Sequence, residues 1–139
     1  MKEVLIHGGS DEAYDRSVFF ARRLAECFGT RLHILSTVDE PLSAGWTAEV
    51  SADRIPEVHL AIEEEARERL GQLIPDEERE RLGIELVIAT GPAGTEIVRY
   101  TKTHGIDLAI IQARRGESSA VDIARTVLED GQCALVVLR

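Results

Sequence analysis

Five short apolar runs, each separated from the next by a stretch of helical periodicity, constrain this chain more than any other feature. The runs are Val4-Leu5-Ile6, Leu32 to Val38, Ile84 to Ala89, Leu108 to Ile111 and Ala134 to Leu138. Between the first two, Tyr14, Val18, Ala21, Ala25 and Phe28 recur on one face of a helix from Asp11 to Phe28, and Gly29 stands where a helix ends. Val58, Ala61, Ile62, Ala66, Leu70 and Leu73 predict a second helix from Glu57 to Ile74. A third follows the turn Gly91-Pro92-Ala93-Gly94, with Ile97, Val98 and Thr101 facing inward and Gly105 closing it; a fourth runs from Ser119 to Asp130. The order is β-α-β-α-β-α-β-α-β. Strands apolar on both faces belong to a parallel sheet covered by helices on both sides, so the chain reads as one α/β domain over residues 1–139, without repeats or a second core.

Composition narrows the partners. Twenty-five acids against 16 Lys plus Arg leave a net charge of −9, which repels phosphate backbones and anionic membrane. No apolar run reaches the roughly 20 residues of a spanning helix, and the opening Met1-Lys2-Glu3 turns polar too soon for a signal peptide. With only Cys27 and Cys133 there is no disulfide framework. The expectation is a cytoplasmic protein that binds neither nucleic acid nor membrane. The acid-rich stretch from Glu57 to Arg81 reads as a solvated helix face. The connection from Asp39 to Pro56, about 18 residues, is long for such a domain.

In an open parallel sheet, ligands bind beyond the carboxyl ends of the strands, where the strand order reverses. That places the candidate crevice at His7, Gly8, Gly9 and Ser10 after the first strand, Val38 at the end of the second, and Gln112 through Arg114, Arg115, Gly116, Ser118 and Ser119 after the fourth. Gly8 and Gly9 would let backbone N–H groups approach an anion at a helix start, or would simply serve the turn. Arg114 and Arg115 would hold an anion, or would offset nearby acids. The same opening departs from the Ser-Gly-Gly-x-Asp-Ser pattern of ATP pyrophosphatases, with His7 and Glu12 replacing both serines. His7, His33, His59 and His104 lack metal-ligand spacing, so no metal site is expected; His33 and His104 read as core or capping residues. Tyr14, Phe19, Phe20 and Phe28 read as core or interface. No serine stands in a nucleophile elbow and no aspartate ends the third strand, so neither a hydrolase nor a phospho-acceptor domain is indicated.

The chain resembles the universal stress protein family along nearly its whole length. The resemblance is carried by Lys2 to Ala25, by Leu32 to Val38, by Val87 to Ile97 with its Gly91-Pro92 turn, by Gly105-Ile106-Asp107-Leu108 to Ile111, and by Ala124 to Leu138 with Cys133 before the last strand. It implies a three-layer, Rossmann-like sheet of order 3-2-1-4-5, as in adenine nucleotide alpha hydrolase-like folds, and a homodimer with a stress-response or regulatory role and no catalysis. Many members bind ATP. Carried over residue by residue, the acid that ends the first strand in those members falls on Gly9, and the hydrophobic adenine neighbour falls on Val38. Both glycines of the motif after the fourth strand, spanning Gln112 to Arg115, are missing. The later Gly-Ser pair falls on Val121-Asp122, which would set a carboxylate beside phosphate. The resemblance therefore implies no obligatory cofactor and no ATP held in the usual way. The alternative is a nucleotide or anion sensor using the crevice, with ATP or another nucleotide as the candidate ligand; an unknown protein partner completes the expectations. The dimer edge would be Leu135, Val136, Val137 and Leu138, since a bare apolar edge strand seeks a partner.

Overall fold

A computed structural model describes residues 2–7, 11–38, 55–113 and 118–139. The elements are β1 (Glu3–His7), α1 (Asp11–Phe28), β2 (Arg31–Val38), α2 (Ile55–Leu73), α3 (Asp76–Leu82), β3 (Ile84–Thr90), α4 (Ala93–Thr103), β4 (Leu108–Gln112), α5 (Ser118–Asp130) and β5 (Ala134–Leu138). All five strands are parallel, in the order β3-β2-β1-β4-β5. This is the order the resemblance implied.

Alternation along each strand divides the core into two layers. Val4, Ile6, Leu32, Ile34, Leu108 and Ile110 pack with Val18, Ala21 and Ala25 of α1 and with Leu70 of α2 and Ile74. Leu5, Leu35 and Ile111 point the other way, onto Ile97, Val98 and Tyr100 of α4, Ile106 and Val127 of α5. β4 is buried throughout, and β1 from Val4 onward. The Asp107 carboxylate ties the base of these central strands, Oδ2 accepting from the N–H groups of Lys2 at 2.8 Å and Glu3 at 3.0 Å. Those bonds, Lys2 first, hold its carboxyl pKa below the ordinary carboxylate value despite its exposure.

Three expectations need correction. α2 begins at Ile55, not Glu57, because Pro56 suits a first turn, where its missing N–H would have no helical partner. Pro75 then separates α2 from an unforeseen short helix, α3. Its acids Asp76, Glu77 and Glu78 open it, Arg79 and Arg81 close it, and Gly83 at φ 64 provides the left-handed stop. None of its residues is buried, so no apolar stripe announced it. Glu78 reaches across to pair with Arg22 of α1. Finally, of the two readings of Phe19, Phe20 and Phe28, core or interface, their exposure excludes the core. α1 meets the sheet through Val18, Ala21 and Ala25, and Phe28 stands one turn beyond the last residue it buries. The side chain of Tyr14 and residues 39–54 lie outside the described residues. Among those described, no helix is long and apolar enough to cross a membrane.

α4 and α5 pack closely at Gly94, where an added Cβ would stand 2.8 Å from Thr126 Cβ. Gly94→Ala should therefore cost about 1–3 kcal/mol by overpacking, read as a lower urea midpoint. An unchanged midpoint would show that the two helices separate freely.

Candidate functional site

The strand order reverses between β1 and β4, and His7 and Gln112 are the last residues of those two strands. With Val38, Thr90 and Leu138 ending β2, β3 and β5, the rim of the sheet is lined by five consecutive strand ends. Of the expected crevice residues, His7, Val38, Gln112 and Ser119 are described with their side chains. Ser118 opens α5. Gly8, Gly9, Ser10, Arg114, Arg115 and Gly116 lie outside the described residues.

His7 and Gln112 are both turned into the protein. His7 is 5% exposed, and its Nε2 hydrogen-bonds Thr37 Oγ1 of β2 at 2.9 Å. Burial pushes its imidazole down from 6.5 to about 4, because the cation would lose its hydration. At neutral pH it presents a neutral ring, not a positive charge for an anion. Gln112 is 7% exposed and spends its whole amide internally. Its Oε1 accepts from Ser17 Oγ of α1 at 3.2 Å, while Nε2 donates to the carbonyls of Ala113 and Leu138, each at 3.3 Å. The Ala113 N–H donates to the same Leu138 carbonyl at 2.7 Å, so Gln112 closes the top of the β4–β5 ladder.

At the entrance of α5, Ser119 is exposed, and so are Val121 and Asp122. The Asp122 carboxylate stands 3.8 Å from the Arg125 guanidinium. Val38 is half-buried, and its carbonyl accepts from the Gly91 N–H at 2.9 Å.

His33 and His104 divide as expected between core and cap. His33 is buried, with Nε2 2.6 Å from Glu3 Oε2 and Nδ1 2.7 Å from the Tyr100 hydroxyl. His104 stacks on Tyr100 at 3.9 Å and caps α4, its backbone N–H donating to the Tyr100 carbonyl. Burial, then Glu85 and Glu3, push the Tyr100 phenol up to about 12. One constellation escaped the sequence: His59 and Glu63 of α2 meet Thr90 at the end of β3. Their spacing of four residues was visible; Thr90 was not, because it lies 31 positions from His59. Among the described residues, no group of three or more His, Cys, Asp and Glu could hold a metal ion.

The model of the Universal stress protein family matches residues 1–139. The chain belongs to the universal stress protein family. No curated protein matches it significantly, but solved structures do. It is similar to the universal stress protein UspA from Lactobacillus plantarum, with 19% identity, a TM-score of 0.73, and 99% of this chain and 97% of that one covered. It is similar to a universal stress protein from Archaeoglobus fulgidus in complex with dAMP, at 16% identity and TM-score 0.60, covering 100% and 98%. A third, a universal stress protein in complex with cAMP, shares 14% identity at TM-score 0.56, covering 99% and 96%. These likenesses establish the Rossmann-like α/β fold of this stress protein.

The His7 shift carries a pH signature. The unfolded ring takes up its proton near pH 6.5 and the folded ring near about 4, so stability is complete above 6.5 and is lost as pH falls through about 4. Between pH 7 and pH 4 the wild type should lose about 3 kcal/mol more than His7→Gln in urea unfolding. Parallel losses would show that His7 does not titrate as a buried neutral group.

Proposed function

We propose that the chain is a small cytoplasmic protein with a stress-response or regulatory role, acting as a homodimer without catalysis and without holding ATP in its family's usual way. The observation that supports this most is Gln112. It stands where the resemblance places the first glycine of the nucleotide motif, and its amide is committed to Ser17, Ala113 and Leu138. Asp122 adds to it, an exposed carboxylate where a phosphate-holding serine is expected. Isothermal titration with Mg-ATP should give no measurable binding; a micromolar or tighter Kd overturns the reading.

A second reading is favoured by the neighbours named in complex with dAMP and cAMP. A nucleotide with one phosphate asks less of the helix entrance than a triphosphate, and Arg114 with Arg115 would supply its counter-charge. A thermal-shift series with AMP, cAMP and inorganic phosphate separates the two readings, since a ligand bound only by the native state raises the midpoint. Under the sensor reading, replacing both arginines by Ala abolishes the shift.

The dimer rests on β5. Among the described residues that strand pairs only with β4, and its last residue borders exposed apolar residues of α1. Val137 is 44% exposed, and Val121 and Leu128 of α5 are exposed as well. Phe19 and Phe20 with Arg16 and Leu138 line a cleft of about 340 Å³. Antiparallel pairing of Leu135, Val136, Val137 and Leu138 with the same strand of a second copy would satisfy both edges across one two-fold axis. Sedimentation velocity at tens of micromolar should give twice the chain mass, and Val136→Pro should shift it toward monomer as it removes a strand donor. A wild-type monomer at that concentration overturns the proposal.

A further inference from the structure

At the edge strand β3, polar side chains converge where the apolar sheet ends. Thr90 is the last residue of β3 and lies beside Val38 in register. His59 and Glu63 are one turn apart on α2 and so share a face. His59 Nε2 lies 2.7 Å from Thr90 Oγ1, the Thr90 hydroxyl donates to Glu63 Oε1 at 2.9 Å, and Nε2 stands 3.0 Å from Oε1. The two helix side chains are each 33% exposed, so this triangle of donor atoms is open to solvent.

We propose that His59, Glu63 and Thr90 form a binding site for a divalent transition-metal cation of the zinc type. The donor set argues for that class. An imidazole nitrogen with a carboxylate suits zinc, cobalt or nickel, whereas calcium and magnesium favour oxygen alone. The geometry is close to what such an ion needs. Bonds of about 2.0–2.2 Å to a tetrahedral ion set the donor atoms roughly 3.3–3.5 Å apart. The observed triangle must open by about half an ångström, which half-exposed side chains can do by small torsional changes. The ion would sit over the triangle and take a lone pair from each atom: Glu63 stays a carboxylate, the Thr90 hydroxyl keeps its proton and turns it to water, and His59 binds as the tautomer protonated at Nδ1. Its fourth position would face water, as in an open zinc site. The acidic surface, with its net charge of −9, raises the local concentration of cations. Among the described residues no further His, Cys, Asp or Glu joins the cluster, so the protein supplies these three donors and water the rest. Zinc needs the lone pair of Nε2, so binding weakens on acidification.

The test is a calorimetric titration of the full, tag-free chain with zinc chloride, repeated with cobalt(II) to read four-coordinate absorption in the visible. One ion should bind per chain with micromolar Kd. His59→Ala and Glu63→Gln should each weaken binding by more than the roughly tenfold that even an outer-shell partner contributes. His104→Ala, at an exposed histidine on another element, should leave it unchanged. Thermal midpoints measured with chelator present establish that the variants fold. No zinc bound below millimolar concentration by the wild type, or equal affinity in wild type, His59→Ala and Glu63→Gln, overturns the site.

Discussion

Covering both faces of a parallel sheet is the constraint on which the rest of this structure depends. β1 and β4 are enclosed between two helix layers, so almost every side chain on them is apolar and their backbone polar groups satisfy each other along the ladders. Polar chemistry is thereby pushed to the strand ends. At the amino ends Asp107 holds the N–H groups of Lys2 and Glu3, and His33 bridges Glu3 to Tyr100. At the carboxyl ends stand His7, Val38, Thr90, Gln112 and Leu138. The first set fastens the sheet, while the second forms its rim, with His7 and Gln112 turned inward where the strand order reverses.

At the point where the strand order reverses, the strand ends are occupied by the protein's own side chains. Glycines after a strand leave room for phosphate and offer backbone donors. A buried glutamine at such a position uses that space for the protein itself, joining α1 to the β4–β5 ladder. His7 follows the same logic, since burial keeps it neutral and bonded to Thr37. Both side chains strengthen the sheet at the ends of its two central strands.

The two edges of the sheet are built differently. β5 is apolar, and its last residue lies beside exposed aromatic side chains of α1. β3 ends instead in a hydroxyl met by an imidazole and a carboxylate from α2. Parallel strands of similar composition can thus present unlike surfaces, because the helices packed beside them supply the outermost atoms.

Periodicity, by itself, determined the alternation of strand and helix, the parallel sheet, the inward faces of α1 and α4 and the stop at Gly29, because each depends on residues within a few positions of one another. Family resemblance along the chain added the strand order. Only the tertiary structure decided that Phe19, Phe20 and Phe28 lie outside the core, since α1 meets the sheet through smaller residues. It also revealed α3, a helix stabilised by charge and by Glu78 reaching Arg22, with no apolar stripe to mark it. The sequence placed His7 and Gln112 at the crevice but not their orientation, because Thr37 and Ser17 are 30 and 95 positions away. His59 and Thr90 were equally illegible. Local pattern records which face of an element is apolar; which distant polar atom completes a hydrogen bond is settled when the layers pack.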